Sequence, residues 1–174
     1  MLTHALQMIR NPEVLPVLLY LLPAGILALV IRSTRRWIYV FAFLTVSATL
    51  IHEFLHYAVG AVLGARPTSL SIIPRRSGPE RFTLGSVTFA NANWFNSAPA
   101  ALAPFLGIPL ILGVAWWRVR AGWEFSVVDL ALWTFLAPQM LSCWPSMADW
   151  RLATRSWPLL LAPAAAASWY FLQQ

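Results

Sequence analysis

The feature that most constrains this chain is a series of long apolar stretches without a charged residue. They cover residues 14–31, 37–51, 94–117, 130–148 and 156–174. As a helix, a stretch of about 18 or more apolar residues can cross the ~30 Å hydrocarbon core of a bilayer. Only 10% of the 174 residues are charged, against about 25% in an ordinary soluble domain. The sequence therefore predicts an integral membrane protein and excludes a soluble enzyme, a disordered tail and a disulfide-stapled secreted module.

These stretches predict an all-α membrane protein with about five transmembrane helices. The predicted spans cover residues 13–31, 37–64, 94–117, 125–144 and 148–172. At 1.5 Å per residue the second would be about 40 Å long, so we expect it to tilt or to project from the bilayer. The third contains Pro99, Pro104 and Pro109, which predict a kinked or broken helix. No repeat or long linker divides the sequence, so residues 1–174 are expected to form a single domain.

The segment between the second and third spans has the pattern of strands. Residues 69–74 and 82–89 alternate polar and apolar side chains, and the SGPE sequence at 77–80 is typical of a turn. The alternation slips at Gly85 and Ser86, where we expect a bulge. A small β-hairpin at the membrane interface is therefore predicted. Its edge could bind an extended substrate by strand addition, or the segment could only cover the helix ends.

The basic residues indicate membrane anchoring rather than nucleic-acid binding. The formal net charge is +6, from 12 basic and 6 acidic residues, and every basic residue is arginine. The arginines lie at the ends of apolar stretches, as residues that contact lipid headgroups do. The distribution of arginines along the chain favours a cytoplasmic N-terminus. We therefore expect a multi-pass protein of the cell membrane that contacts the lipid bilayer and does not bind nucleic acid. Cys143 is the one cysteine, so an intrachain disulfide is excluded.

The second span carries His52-Glu53-Phe54-Leu55-His56, which predicts a metal site. Residues four apart on a helix project from one face, so both imidazoles can reach the same ion. Glu53 lies one position round the helix, where it can contact a water molecule activated by the metal. An acid at the centre of a spanning helix costs about 2.5–3.5 kcal/mol, so such residues usually serve a function. A polar cluster without metal, or a haem held by the two histidines, would be the alternatives.

A catalytic zinc needs a third protein ligand and one open position. Asp149 is the main candidate, because it follows the Pro145 break between two apolar stretches. Irregular backbone at such a break can line a hydrated cavity. Ser146 and Asp149 also have the spacing of a capping box, so a helix cap is the alternative role. The two roles need not exclude each other.

The histidine–glutamate motif on a predicted span, the strand-like segment after it, the proline-rich third span and Asp149 four residues after Pro145 resemble, taken together, the site-2 protease family of intramembrane zinc metalloproteases. The resemblance covers about residues 41–155, and the His-Glu-Phe-Leu-His motif is its specific part. It implies that His52 and His56 bind Zn²⁺, that Glu53 is the general base and that Asp149 is the third ligand.

Two departures from the family pattern affect the site. Asp149 is flanked by Ala148 and Trp150, where the family commonly has Leu-Asp-Gly. The middle helix has Asn96 before Pro99, where the family tends to have Gly-Pro followed by Asn. Asn96 could bind substrate, by holding its backbone or the oxyanion, or it could cap the helix that it precedes.

The function predicted from the sequence is hydrolysis of a peptide bond in or near a transmembrane segment of a membrane-protein substrate. The enzyme would be a zinc-dependent metalloendopeptidase in which Glu53 deprotonates the attacking water. The alternatives are a non-proteolytic zinc-binding membrane assembly factor and a helix bundle that translocates protons or cations. A bundle without a sequence repeat is a poor match to the usual architecture of carriers.

Overall fold

The computed structural model of the chain describes residues 14–78, 82–158, 161, 168–170 and 173. These residues are mostly helical, with a small region of antiparallel strands, as the sequence predicts. They group into two compact units. The first takes the described residues of Met1–Ala48 and Gly107–Leu141, and the second takes those of Thr49–Leu106 and Ser142–Gln174. That the whole chain forms one domain stays a prediction.

The elements follow one another along the chain as helices, strands and helices. The helices are α1 (Val14–Ser33), α2 (Ile38–Leu44), α3 (Val46–Val62), α4 (Ser97–Ala101), α5 (Gly107–Arg120), α6 (Val127–Ser142) and α7 (Met147–Ala153). The strands are β1 (Pro67–Ser71), β2 (Arg75–Arg76), β3 (Phe82–Thr83) and β4 (Ser86–Phe89). Short 3₁₀ turns follow α1, α4 and α7, at Thr34–Arg36, Ala103–Leu106 and Thr154–Ser156.

In the first unit, α1 packs against α5. Tyr20, Ala24 and Ala28 are buried on α1, and Ile111 and Ala115 are buried on α5. The three α1 residues are spaced by four, so they form one stripe along the helix. Small alanine side chains in such a stripe let two helices approach closely.

Among the described residues, one helical segment is long and apolar enough to cross a membrane. It is Val14–Arg36, with 23 residues, and it corresponds to the first predicted span. Two pairs of described helices would qualify only if each pair counted as one span. They are Ile38–Leu44 with Val46–Val62, and Val127–Ser142 with Met147–Ser156. The described residues therefore support one span, or up to three, and the predicted number of five is not confirmed.

The predicted second span, 37–64, is not a continuous helix. It is interrupted at Thr45, whose φ of −107° and ψ of 10° are not helical. The Thr45 hydroxyl donates a hydrogen bond to the carbonyl of Phe41, 2.8 Å away. Threonine side chains that bond back to the preceding turn bend helices. The prediction of a single helix of about 40 Å is therefore wrong.

The predicted third span, 94–117, is broken, as its prolines indicate. α4 ends at Ala101 and α5 begins at Gly107, with Pro104 in the 3₁₀ turn between them. Proline has no N–H to continue the α-helical bonds, so a break at this point is expected. The predicted fourth span, 125–144, corresponds to α6, whereas the predicted fifth, 148–172, begins with α7 and lies in part outside the described residues.

The strand region consists of two nested antiparallel pairs. β1 pairs with β4, and between them β2 pairs with β3. The prediction is confirmed in part: of the predicted strand 69–74 only residues 69–71 lie in a strand, and the predicted strand 82–89 is divided into β3 and β4. Leu84 and Gly85 lie between β3 and β4, whereas Ser86, the second residue of the predicted bulge, pairs with Ser71. A second irregularity lies in β1, between Pro67 and Ser69. The predicted turn at 77–80 lies in part outside the described residues.

Two contacts hold the elements of the second unit together near the predicted site. α4 packs against α7 through a small core of Ala98, Ala101 and Ala153. The ring of Phe89 lies against the α carbon of Gly60, where a β carbon would collide with it. The missing side chain of Gly60 therefore lets β4 lie directly on α3.

Candidate metal centre

α3 presents His52 and His56 on one face, as their spacing predicts. Their Nε2 atoms are 3.1 Å apart, and the two rings meet edge to face with centroids 4.7 Å apart. His56 is buried and His52 is partly buried. The two Nε2 atoms therefore point to the same position in the second unit.

Asp149, in the first turn of α7, adds a carboxylate to this position. Its Oδ1 lies 3.2 Å from Nε2 of His56, and its Oδ2 lies 3.5 Å from Nε2 of His52. The structure thus brings together the three residues that the resemblance implies as ligands. That they bind a metal stays a prediction.

Asp149 also caps α7. Its backbone N–H donates to the Ser146 hydroxyl oxygen at 3.3 Å, and its Oδ2 accepts a hydrogen bond from the Ser146 N–H at 2.6 Å. Both halves of a capping box are present, so this role is confirmed. The two roles foreseen for Asp149 are compatible, because one carboxylate reaches both the cap and the histidines.

Backbone carbonyls determine which nitrogen of each histidine is protonated. Nδ1 of His52 is 2.6 Å from the Ser142 carbonyl, and Nδ1 of His56 is 2.7 Å from the Ala100 carbonyl. A carbonyl oxygen only accepts hydrogen bonds, so each Nδ1 carries the proton. Each neutral ring then presents the Nε2 lone pair, as histidines that bind metals through Nε2 do.

Two imidazole lone pairs and a carboxylate within 3.1–3.5 Å repel one another unless a positive charge lies among them. A zinc ion binds nitrogen and oxygen ligands at about 2.0–2.2 Å in a tetrahedron, so its ligand atoms lie about 3.3–3.6 Å apart. The separations between Nε2 of His52, Nε2 of His56 and the Asp149 oxygens are close to this range. Two histidines and one carboxylate are also a common set for a catalytic zinc, so the residues present fit the ion.

Glu53 is buried beside this group. It is close enough to His52, His56 and Asp149 to interact electrostatically with all three. Its side chain lies against Gly85, where an added β carbon would be 2.7 Å from Oε1 and 2.6 Å from Cγ of Glu53. Only a glycine at 85 leaves room for this side chain. The sequence predicted a bulge at Gly85 and Ser86, but it did not indicate that Gly85 lies against Glu53.

Asn96 has a structural role that the sequence did not indicate. Its side-chain oxygen accepts a hydrogen bond from the Asn93 N–H at 2.8 Å, and its amide donates to the carbonyls of Asn91 and Leu63 at 3.0 and 3.5 Å. Asn96 occupies the N-cap position of α4, as the alternative prediction has it, but its buried side chain makes no cap hydrogen bond. It ties the loop before α4 to the end of α3. Substrate binding by Asn96 stays a prediction that these contacts do not support.

The first unit holds a second polar cluster, which the sequence analysis missed. Asp129 is fully buried. Its Oδ1 accepts hydrogen bonds from Nε of Arg118 at 2.8 Å and from the Tyr20 hydroxyl at 3.0 Å, and its Oδ2 accepts one from the Ser126 N–H at 2.8 Å. A lone acid at the edge of an apolar stretch is the signal that could have found it, because such a residue usually has a buried partner.

Comparison of the chain with models of known protein families, with curated proteins and with solved structures gives no significant match.

Proposed function

We propose that this chain is an integral membrane zinc metalloendopeptidase of the site-2 protease type. It would hydrolyse a peptide bond in or near a transmembrane segment of a membrane-protein substrate. The observation that carries the proposal is the convergence of Nε2 of His52, Nε2 of His56 and the Asp149 carboxylate, with Glu53 beside them. This donor set leaves a zinc ion one open position for chemistry.

His52, His56 and Asp149 would hold the zinc ion. The ion would supply Lewis-acid chemistry, which polarises a carbonyl and makes nearby water more acidic. The carbonyls of Ser142 and Ala100 hold both rings in the tautomer that ligation requires.

Glu53 is the proposed general base. Its carboxylate takes a proton from water as the water oxygen bonds to the scissile carbonyl carbon. The same proton then passes to the amide nitrogen as the carbon–nitrogen bond breaks. The products are a carboxylic acid and an amine, and the Glu53 carboxylate is regenerated.

The strand region is the proposed binding surface for an extended substrate. Gly85 lies against Glu53 and Phe89 lies against Gly60, so this region runs alongside the part of α3 that carries the base. Within the described residues β1 and β4 form a two-stranded sheet, so each has one edge without a strand partner. A peptide added at such an edge is extended and is bound mainly through its backbone, so its peptide bonds are accessible. Because side chains contribute little to this binding, substrates of many sequences can bind in the same way.

We infer a multi-pass location, in the cell membrane, from the surface of the helices. Leu29, Phe43 and Val62 are between 67% and 85% exposed. Large apolar side chains exposed in this way along several helices are typical of surfaces that face lipid or a partner. The apolar segment Val14–Arg36 and the two broken helix pairs supply the candidate spans.

The proposal is tested by comparing wild type with Glu53→Gln and His56→Ala after purification and reconstitution into vesicles. Zinc content is measured by elemental analysis, and cleavage is measured on a single-span membrane-anchored reporter. We expect wild type to bind one zinc and cleave. Glu53→Gln should keep the metal and cleave at least about 100-fold more slowly, since a general base contributes about 10²–10⁴-fold. His56→Ala should lose both.

Three outcomes would contradict the proposal. Equal cleavage by Glu53→Gln would remove Glu53 as the base. Stoichiometric zinc in wild type without cleavage of any membrane peptide would favour the non-proteolytic assembly factor. Metal-dependent ion flux into vesicles, abolished by His56→Ala, would favour the cation-translocating bundle.

A further inference from the structure

His56 is oriented by the backbone carbonyl of Ala100, and this carbonyl does not have the hydrogen-bond donor that a carbonyl in an α-helix normally has. In an α-helix the carbonyl of residue i accepts a hydrogen bond from the N–H of residue i+4. For Ala100 that residue is Pro104, which has no N–H. The Leu102 N–H at the end of α4 donates to the Ala98 carbonyl at 2.8 Å and also interacts with the Ala100 carbonyl, which still has a lone pair for another donor. The Nδ1–H of His56 donates to the Ala100 carbonyl instead, at 2.7 Å.

A similar arrangement surrounds the carbonyl of Ser142, to which His52 donates. The residue at i+4 is Ser146, whose N–H donates to Asp149 Oδ2 at 2.6 Å. The residue at i+3 is Pro145, which has no N–H for a 3₁₀ bond. The Nδ1–H of His52 reaches this carbonyl at 2.6 Å. Each carbonyl that accepts from a histidine therefore lacks its usual helical donor. At Ala100 the N–H is absent because residue 104 is proline, and at Ser142 the Ser146 N–H donates to Asp149 instead.

We propose that Pro104 is a positioning residue of the metal centre. By removing one backbone N–H it keeps the Ala100 carbonyl available to His56, which fixes the Nδ1–H tautomer and points Nε2 at Asp149. The inference deepens the proposed function, on which it rests in taking His56 and Asp149 as metal ligands.

The exact position of the proline distinguishes two roles, which are leaving the Ala100 carbonyl available to His56 and ending the helix α4. A proline elsewhere in the turn Ala103–Leu106 would also stop α4. Only a proline at 104 removes the donor that belongs to the Ala100 carbonyl. In a variant with an ordinary residue at 104, the restored N–H competes with His56, and α4 can extend into the turn.

The experiment compares wild type, Pro104→Ala and Pro104→Val, both of which restore the N–H, with valine closer to proline in volume. Pro138→Ala is the matched control, because Pro138 is also buried and lies inside helix α6. Neither histidine donates to the carbonyl four residues before Pro138, since His52 donates to Ser142 and His56 donates to Ala100. Zinc affinity is measured by competition with a chelator. The tautomer of His56 is read from imidazole ¹⁵N chemical shifts in metal-free protein.

We expect both Pro104 variants to bind zinc about 10–100-fold more weakly, as is typical when the partner of a ligating histidine is lost. His56 should shift from the Nδ1–H tautomer to a mixture, and Pro138→Ala should match wild type. A folded Pro104 variant with unchanged zinc affinity and tautomer would overturn the inference. So would an Nε2–H tautomer of His56 in metal-free wild type, a measurement that needs no variant to fold. Wild type that binds no zinc would instead overturn the proposed function and leave the tautomer comparison valid.

Discussion

Asp149 links a helix cap to a histidine: its Oδ1 lies 3.2 Å from Nε2 of His56, while its Oδ2 accepts the Ser146 N–H at 2.6 Å. The backbone N–H of Ser146, the residue just before α7, holds the Asp149 carboxylate in place. A ligand that is already oriented in the folded chain loses little freedom when an ion binds. The same geometry makes the two roles of Asp149 separable by mutation.

Asp149→Asn should abolish tight zinc binding and leave α7 capped. The asparagine side-chain oxygen can still accept the Ser146 N–H, but it lacks the negative charge that faces His52 and His56. We expect zinc affinity to fall by more than about 100-fold, because loss of a ligand exceeds the roughly 10–100-fold effect of losing an outer-shell partner. Chelator competition and thermal unfolding on the same preparation give both quantities.

Ser146→Ala is the converse variant. It removes the hydroxyl that accepts the Asp149 N–H, which costs about 0.5–2 kcal/mol of stability for a helix cap. Zinc affinity should change by less than about 10-fold, since the carboxylate itself remains. If the two variants lowered zinc affinity equally, Asp149 would be a cap and not a ligand.

Removal of zinc should lower the thermal stability of wild type. A ligand that binds only the folded state stabilises it by about 2.7 kcal/mol when its free concentration is 100 times Kd. Unfolding is followed in detergent with and without a strong chelator. A His52→Ala/His56→Ala double variant is the control and should show no response to the chelator. An equal loss of stability in that double variant would show that the chelator acts elsewhere.

Gly85→Ala should impair cleavage without removing the metal. The new β carbon would lie within 2.6–2.8 Å of atoms of Glu53 and Thr49, so one of these side chains must move. We expect cleavage of the reporter to slow by about 10-fold or more, because a displaced Glu53 carboxylate cannot reach the proton of the attacking water. Gly113→Ala is the control, since its β carbon would meet nothing within 4 Å. Unchanged cleavage by Gly85→Ala, with zinc retained, would show that Glu53 does not depend on this position.

Local patterns predicted the part of the site that lies on one helix. The spacing of His52, Glu53 and His56 shows directly that two imidazoles share a face, because helical geometry repeats every 3.6 residues. The alternation at 69–74 and 82–89 indicated paired strands for a similar reason. Asp149 was reached through the requirement for a third ligand and through the resemblance. The sequence alone could not show that its carboxylate meets both the cap and the histidines.

The errors have a common physical cause. The predicted second span is broken at Thr45, where the backbone leaves helical geometry, and the hydropathy of a sequence does not show such a change. Asn96 occupies the N-cap position of α4 without a side-chain cap bond, because its amide bonds to carbonyls that the loop brings to it. Asp129 was missed, because its partner Arg118 lies on another helix. Each of these interactions depends on backbone or tertiary geometry that no periodicity encodes.

Breaking the pair formed by Arg118 and Asp129 should strongly destabilise the first unit. Asp129 is fully buried, and Arg118 contacts both of its oxygens, at 2.8 and 3.0 Å. Removing one partner of a buried pair leaves an uncompensated charge and costs about 3–5 kcal/mol. We therefore expect Arg118→Met to unfold at a clearly lower temperature, and the double variant Arg118→Met/Asp129→Leu to recover part of the loss. Arg120→Met is the control, because Arg120 lies 4.8 Å over the Trp116 ring in a contact worth about 0.5–1 kcal/mol at an exposed site. Equal unfolding temperatures for Arg118→Met and Arg120→Met would show that the buried pair contributes no more than a surface contact.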